Sequence, residues 1–268
     1  MRMGSVLIDE RDVKFVLHEQ LEIMSLTSRP LFENFSREEF DMVLDQAGKF
    51  AEKELMPANS EGDRTCAKWD NGAVTLPKGY YTPLRMFGEH GWVSACDEPE
   101  IGGQGLPVAI FTACNELFHA ANTALNLYPS LAHGTATMIR HHGTESQKRK
   151  YLEKLLTYKW AGSMNLTEPG AGSSLAQIQT KAVRMEDGRY KISGQKIFIT
   201  GGEHDAHPNI IHPVLARIEG DPPGIKGISI FLVPKYHVHE DGSIGERNDV
   251  NCAGIEHKMG FAVRPPAR

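Results

Sequence analysis

The sequence lacks three features that would place the protein in a membrane, in an oxidising compartment or on nucleic acid. No run of about 18 apolar residues occurs, which excludes a membrane-spanning helix. The four cysteines are widely spaced and form no C-x-x-C pair, a pattern typical of reduced thiols rather than of a disulfide framework. The longest basic block is Lys148-Arg149-Lys150 and the formal net charge is -5, which argues against nucleic acid or an anionic membrane as the main partner.

Signals for secretion and for several enzyme classes are also missing. The first ten residues contain no charged segment followed by an apolar run, so we expect no signal peptide and a cytoplasmic location. The absence of a G-x-S-x-G motif, a P-loop and a G-x-G-x-x-G motif after a strand argues against hydrolases and nicotinamide enzymes. Neither His204, His207 and His212 nor the adjacent His141 and His142 has the spacing of a metal site, so we interpret them as surface-loop residues.

Hydrophobic residues make up 40% of the chain, enough for a buried core, and up to residue 160 their spacing is helical. This spacing predicts helices over residues 11–24, 40–55, 80–90, 107–126, 130–142 and 145–158. Ser36 with Glu39 and Thr144 with Gln147 form capping boxes at two of the helix starts. Pro57 is expected to end the second helix, and the polar residues 58–79 to form a loop.

After residue 160 apolar and polar residues alternate, which predicts strands over residues 176–182, 191–200, 210–218 and 227–233. Asp187-Gly188 indicates a hairpin turn. We therefore predict an α+β fold with a leader segment (1–35), a helical domain (36–160) and a mainly antiparallel β-barrel or sandwich domain (161–268). Because the sequence ends on residues 264–268 (Arg-Pro-Pro-Ala-Arg), we expect that this domain lacks its last strands; the alternative is a frayed natural terminus.

Two segments of the β domain have the composition of a ligand site. In residues 164–174, Gly170 and Gly172 permit close backbone approach to a ligand, successive N–H groups can bind an anion, and Thr167 and Ser173 add hydroxyl donors. In residues 193–202, Phe198 and Thr200 are expected to share one face of a strand, which suits a planar, hydrogen-bonding heterocycle. The alternatives are a plain β turn at a domain junction and an ordinary core phenylalanine.

At these segments the sequence resembles the acyl-CoA dehydrogenase family. Residues 166–173 (LTEPGAGS) resemble its first signature, T-E-P-x-A-G-S-D, and residues 194–200 (GQKIFIT) resemble its second, G-x-K-x-[WF]-I-T. Upstream, residues 91–105 are similar to the family's G-W…P-E-x-G-G-Q-G segment, and residues 143–148 to its G-T-E-E-Q-K helix start. The four motifs occur in the family's order over about residues 36–260, which makes the resemblance specific.

The resemblance implies a flavoprotein oxidoreductase of fatty acid metabolism, in which FAD lies across the β domain and accepts hydride from an acyl-CoA thioester. Six residues match the family's flavin contacts: Met164, Leu166 and Thr167 at the polar edge of the ring, Ser173 at the pyrophosphate, Phe198 against the ring and Thr200 near the reactive flavin nitrogen. Ser174 stands where the family usually has Asp, so the role of that carboxylate does not carry over. Residues 11–19 are similar to the leader of a subfamily that includes 3-methylmercaptopropionyl-CoA dehydrogenases.

The resemblance also implies what lies outside this sequence. The family's catalytic base is a Glu on a C-terminal helical domain, expected after residue 260, so we assign no base, interpret Glu168 as a residue that orders its turn, and expect little activity from this chain alone. The implied partners are an acyl-CoA, an acceptor of the electron-transfer flavoprotein type and further copies of the full-length chain. Two alternatives remain open: an acyl-CoA oxidase, and a non-catalytic remnant or binding module of the same fold.

Overall fold

The computed structural model describes residues 7, 9–256 and 258, with helices first and strands mainly later, as predicted. The α-helices are α1 (Glu10–Phe15), α2 (Arg37–Phe50), α3 (Met56–Thr65), α4 (Lys78–Glu89), α5 (Val108–His142) and α6 (Glu145–Leu156). The strands are β1 (Lys68–Asp70), β2 (Ala73–Thr75), β3 (Ala161–Gly162), β4 (Lys181–Arg184), β5 (Tyr190–Ser193), β6 (Ile210–Ile218), β7 (Ile228–Pro234), β8 (Tyr236–Val238) and β9 (Ile244–Arg247). Across the described part of the chain, no helix has the length and apolar character that a bilayer crossing needs.

The helix that begins at Arg37 continues past Pro57, where the sequence predicted its end. Its start is the expected capping box, in which Glu39 N–H donates to Ser36 Oγ at 3.2 Å and Ser36 N–H donates to Glu39 Oε2 at 2.7 Å. Between α2 and α3 lies a π-helical turn, Ala51–Leu55, and Pro57 falls in the first turn of α3. A π turn widens the backbone just before the proline ring, which relieves the clash that would otherwise break the helix.

The prediction of a loop over residues 58–79 was wrong, because α3 continues into this segment and a short hairpin follows it. β1 pairs antiparallel with β2 around Asn71-Gly72, whose φ angles are 45° and 89°. Two residues in the left-handed region are what a two-residue type I′ turn requires, and Asn-Gly is the pair that most favours it. The turn signal was present in the sequence, but the flanking strands are only three residues long and mostly exposed.

The helix break predicted between residues 126 and 130 lies instead at Asn122, where the backbone of α5 is extended (φ -160°, ψ 84°). Asn122 Oδ1 accepts from Leu125 N–H at 3.0 Å and from the hydroxyl of Tyr80 at 3.2 Å. Its Nδ2 donates to Leu55 O at 3.3 Å. Asn122 therefore acts as the N-cap of the second half of α5, inside what would otherwise be one continuous helix.

The β region is an open five-stranded sheet in which β6 is central, rather than the closed barrel that was one of the predicted forms. β3 and β4 pair with the same edge of β6, both parallel, at its two ends, and β7 pairs antiparallel with the other edge. β5 follows β4 through the predicted Asp187-Gly188 turn. The strand predicted over residues 176–182 begins only at Lys181, because residues Leu175–Gln177 form a 3₁₀ turn.

The largest core lies among the helices and contains edge-to-face aromatic contacts, with Phe118 at 5.6 Å from Phe50, 5.4 Å from Phe87 and 5.1 Å from Trp92 between ring centroids. A smaller core joins α5 and α6 to β6 through Ala136, Ile139, Tyr151, Leu155, Leu156, Trp160 and Ile211. The second half of α5 thus packs directly on the sheet that carries both signature segments.

Candidate functional site

The first signature segment runs along β6 and leaves its other backbone edge open. The backbone groups of Ser163 and Asn165 bond to β6 over distances of 2.8 to 3.1 Å. Because backbone groups alternate in direction along an extended chain, the N–H and C=O groups of Met164 and Leu166 point to the opposite edge. Of these four groups, only the carbonyl of Leu166 has a hydrogen-bond partner among the described residues.

That partner is Lys196 of the second signature, which together with Glu168 joins the two segments. Lys196 Nζ donates to Leu166 O at 3.0 Å and to Glu168 Oε1 at 2.7 Å. Next to this contact, Ile197 N–H donates to the carbonyl of Thr167 at 2.9 Å. Both charged side chains are buried, with exposures of 8% for Lys196 and 4% for Glu168. Two segments about thirty residues apart in the chain therefore form one continuous surface.

Glu168 holds a structural position, as expected of a residue that orders its turn, because its carboxylate accepts four hydrogen bonds from neighbouring segments of the protein. Besides Lys196, the carboxylate accepts from Gln179 N–H at 2.6 Å, Thr180 N–H at 3.1 Å and Thr180 Oγ1 at 2.5 Å. Burial opposes ionisation of Glu168, but these bonds outweigh it and lower the pKa of the carboxyl below its ordinary value. Burial lowers the pKa of Lys196, and the bond to Glu168 opposes that shift. Gly194 is required here, because a Cβ would lie 2.8 Å from Thr180 Cα.

The loop after Glu168 is mostly exposed, and there is free space beside the backbone of its glycines. Glu168 and Ala171 exchange backbone bonds of 2.9 and 3.1 Å, which close the loop. A Cβ added to Gly170 or Gly172 would meet no atom within 4 Å, and neither residue has a positive φ. The protein's own packing therefore gives no reason for glycine at these positions, and a ligand could approach the backbone here.

The second signature segment is irregular rather than a strand. β5 ends at Ser193, so the strand predicted over residues 191–200 was wrong from residue 194 onward, and Phe198 and Thr200 do not alternate along one face of a strand. Phe198 has φ 58° and is 47% exposed, with Lys258 Nζ at 5.3 Å from its ring centroid. A bulky residue in the left-handed region is strained, and strain of this kind is concentrated at functional sites. Its exposure removes the alternative of an ordinary core phenylalanine.

The prediction that His204, His207 and His212 belong to surface loops was also wrong. Their exposures are 0%, 7% and 1%. The segment after the second signature packs against α5. There the ring of His204 lies 5.3 Å from the ring of Tyr128, measured between centroids. Lys235 forms a buried ion pair with Glu203 and donates to His204 O at 3.1 Å. Apolar neighbours of His212 in β6 were a sequence signal for burial. Among the residues that the structure describes, no three His, Cys, Asp or Glu side chains are grouped as metal ligands.

Burial disfavours the charged form of all three imidazoles. It lowers the pKa of His207 to about 4 and the pKa of His212 to about 3, with the positive charge of Lys235 adding to the shift at His212. The pKa of His204 is also lowered, through burial first and then through its charged neighbours. Near neutral pH the three rings are therefore uncharged.

Pro213 stands in the middle of β6 and removes one bond from its ladder with the first signature segment. The bonds on either side follow a parallel pattern, in which Ser163 N–H donates to Ile211 O and Leu215 N–H donates to Asn165 O. In this pattern the N–H of residue 213 would donate to Ser163 O, but proline has no N–H, so this backbone bond is missing. The hydroxyl of Thr135 on α5 donates to this carbonyl instead, at 3.1 Å. Gly162 allows this approach, because a Cβ there would lie 2.8 Å from Thr135 Cβ.

Comparison with known proteins identifies the family. The family model of the acyl-CoA dehydrogenase N-terminal domain matches residues 37–159, and that of the acyl-CoA dehydrogenase middle domain matches residues 163–261. The chain belongs to the acyl-CoA dehydrogenase family. It is 38% identical over 257 residues to 3-methylmercaptopropionyl-CoA dehydrogenase of Ruegeria pomeroyi, a match that covers 96% of the chain and 44% of the relative. This confirms the resemblance proposed from the signatures and the leader.

Other acyl-CoA dehydrogenases give the same result. A butyryl-CoA dehydrogenase of Syntrophomonas wolfei is 36% identical over 266 residues, covering 97% of the chain and 43% of the relative. The solved acyl-CoA dehydrogenase of Bacillus anthracis, which is complexed with FAD, superposes with a TM-score of 0.65 at 26% identity, over 88% of the chain and 35% of that protein. Its cofactor agrees with the one expected from the sequence. The chain spans less than half the length of the two curated relatives.

Within this family assignment, the predicted flavin contacts occupy two joined segments and one loop. Met164, Leu166 and Thr167 are half-buried in the first segment, and Thr200 is half-buried two residues after the exposed Phe198. Ser173 lies on the exposed loop after Glu168. Their contacts with a flavin stay predictions. Sequence reasoning did not anticipate that Lys196 would be the residue joining the segments, although it lies inside the second signature.

Proposed function

We propose that this chain holds FAD for the α,β-dehydrogenation of an acyl-CoA thioester. The observation that carries the proposal is the open backbone edge of the first signature segment. Since Lys196 occupies the carbonyl of Leu166, the N–H and C=O of Met164 and the N–H of Leu166 remain without a partner among the described residues. This row of donor, acceptor and donor complements the imide edge of a flavin, which presents an N–H between two carbonyls.

The remaining predicted contacts fit the rest of the cofactor. The hydroxyls of Thr167 and Thr200 would bond to the polar side of the ring, and Phe198 would lie against its face. The open loop after Glu168, with Ser173 and the backbone over Gly170 and Gly172, would bind the pyrophosphate, because successive N–H groups suit an anion. These assignments are supported by the family membership and by the contact between the two signatures.

FAD, when bound, supplies the oxidising chemistry by accepting a hydride from the β carbon of the thioester. The residues of this chain would bind the ring, orient it and keep water from one side of it. Glu168 does not serve as the base that removes the α proton, because its carboxylate is buried and already bonded to Lys196, Gln179 and Thr180. We propose that the base belongs to a part of the protein outside this sequence, as the greater length of the relatives suggests.

Other expectations stay predictions. They are the electron-transfer flavoprotein-type acceptor, the assembly of the full-length protein into homo-oligomers, the cytoplasmic location, and the division into a leader (1–35), a helical domain (36–160) and a β domain (161–268).

The decisive experiment is a titration of the purified chain with FAD, followed by absorbance and by flavin fluorescence. We expect saturable binding of one FAD per chain, little bleaching of the bound flavin by acyl-CoAs, and rapid bleaching when the full-length gene product is used. Oxygen consumption with release of hydrogen peroxide by the full-length protein would identify an oxidase instead. Failure of the chain to bind FAD at any accessible concentration would contradict the proposed function.

A further inference from the structure

Lys196 controls which backbone groups the open edge presents. Its ammonium group lies between the carbonyl of Leu166 and the carboxylate of Glu168, at 3.0 and 2.7 Å. If the carbonyl of Leu166 were free, the edge would continue with a second acceptor after the N–H of Leu166. Lys196 therefore terminates the row at donor, acceptor and donor, which is the pattern complementary to an imide.

Glu168 keeps the ammonium group of Lys196 in this position. The carboxylate is itself fixed by the backbone of residues 179–180 and by Thr180 Oγ1, so the pair connects three separate segments of the chain. Gly194 permits the third segment to approach, because a side chain there would collide with Thr180. A buried charge that loses its partner is strongly disfavoured, so the two side chains depend on each other.

We propose that Lys196, held by Glu168, is a positioning residue that makes the open edge selective for a ring with an imide edge. The inference rests on the proposed binding of FAD and adds the residues that determine selectivity for the ring. It concerns the edge alone and does not depend on the thioester substrate, on the catalytic base or on the electron acceptor.

The test compares FAD with FAD methylated at N3 of the ring, which lacks the N–H that the carbonyl of Met164 would accept. The wild-type chain is expected to prefer FAD by about tenfold or more, the factor associated with one buried hydrogen bond. Lys196→Met is expected to weaken FAD binding by about tenfold and to bring the ratio of the two affinities close to one. The reason is that the carbonyl of Leu166 is no longer bonded to the ammonium group, so the backbone groups of the edge are no longer fixed in position. Lys196→Arg, which keeps the charge, is expected to restore part of the preference.

Lys191→Met is the matched control, since Lys191 is an exposed lysine on β5, close in sequence, and its removal should leave both affinities unchanged. The preference is a ratio measured on one preparation, so loss of folded protein alone does not change it. If Lys196→Met does not fold, Glu168→Gln replaces it, and we expect the same loss of preference.

The outcomes separate the two proposals. Absence of FAD binding by the wild-type chain would overturn the proposed function, and this inference with it. Wild-type binding that shows a preference for FAD, together with the same preference in Lys196→Met and Glu168→Gln, would overturn the inference alone and leave the proposed function standing. Loss of the preference in these variants, with Lys191→Met unchanged, is the result that supports it.

Discussion

A single residue, Pro213, shows how one unfavourable position in a strand is compensated by a neighbouring helix. We expect Thr135→Val to lower the free energy of unfolding by about 1–3 kcal/mol, because the buried carbonyl of Ser163 would then have neither a backbone nor a side-chain donor. Urea denaturation measures the change. Thr112→Val is the control: its hydroxyl bonds to Val108 O within the exposed first turn of the same helix, and we expect a change within about 0.5 kcal/mol.

The compensation can also be tested in reverse. Adding Pro213→Ala to the Thr135→Val variant supplies an N–H that can donate to Ser163 O, so part of the lost stability should return. A double variant no more stable than Thr135→Val would show that the hydroxyl of Thr135 has a different role.

The buried histidines predict that the fold is sensitive to acid. In the folded chain burial keeps His207 neutral down to a pKa of about 4, whereas in the unfolded chain it takes up a proton near its ordinary value. The unfolded state therefore binds more protons between about pH 6.5 and 4, and the free energy of unfolding should fall by about 3 kcal/mol for His207 as the pH decreases through this window.

Urea denaturation of the wild type and of His207→Gln across this window measures the effect. The slope of stability against pH should be smaller in His207→Gln and unchanged in His142→Gln, which replaces an exposed histidine at the end of α5. Parallel pH profiles for all three proteins would contradict the assignment of the acid sensitivity to the buried cluster.

Among the secondary-structure elements, the bend in α5 depends on one side chain. Asn122→Ala removes an internal N-cap and, with it, the buried hydrogen bonds of Asn122 to the hydroxyl of Tyr80 and to the carbonyl of Leu55. We expect a loss of about 2 kcal/mol in the free energy of unfolding, measured by thermal or urea denaturation. Asn59→Ala, an exposed position on α3, is the control and should change stability by less than about 0.5 kcal/mol. Equal stability of the two variants would refute the capping role.

The elements that could be predicted from the sequence are those determined by neighbours in the chain. The capping boxes at Ser36 and Thr144 and the Asp187-Gly188 turn are local, and all three have the predicted form. The passage of the helix through Pro57 depends on a π turn, and the bend at Asn122 depends on Tyr80 and Leu55 from other helices. Such contacts have no local signature, so periodicity alone could not find them.

At the scale of the whole molecule, the architecture and the family were predictable because the signatures are short, ordered and specific. Lys196 and Glu168 were within the signatures, but their bond joins residues 28 positions apart and requires three segments to meet. The buried histidines were misassigned because their lack of metal-site spacing was taken to indicate surface loops, whereas in the folded protein burial keeps the three rings neutral.

Binding of FAD should raise the free energy of unfolding of the whole chain, because FAD binds the folded state and not the unfolded one. With FAD at about one hundred times its dissociation constant, the free energy of unfolding should rise by about 2.7 kcal/mol, which corresponds to an increase of about 5 °C or more in Tm for a chain of this size. NAD, which shares the adenosine diphosphate half but has no isoalloxazine ring, should have a much smaller effect. An equal increase with NAD would show that the ring edge contributes little.

The bond between Lys196 and Glu168 has a consequence for how the cofactor enters and leaves. Lys196 and Glu168 are held by each other, by the carbonyl of Leu166 and by Gln179 and Thr180, all of which belong to the polypeptide. The receptor surface is thus preorganised, and little conformational entropy has to be lost when the cofactor docks. Stripping the flavin should leave an apoprotein that recovers its spectrum on simple mixing, without a slow refolding phase.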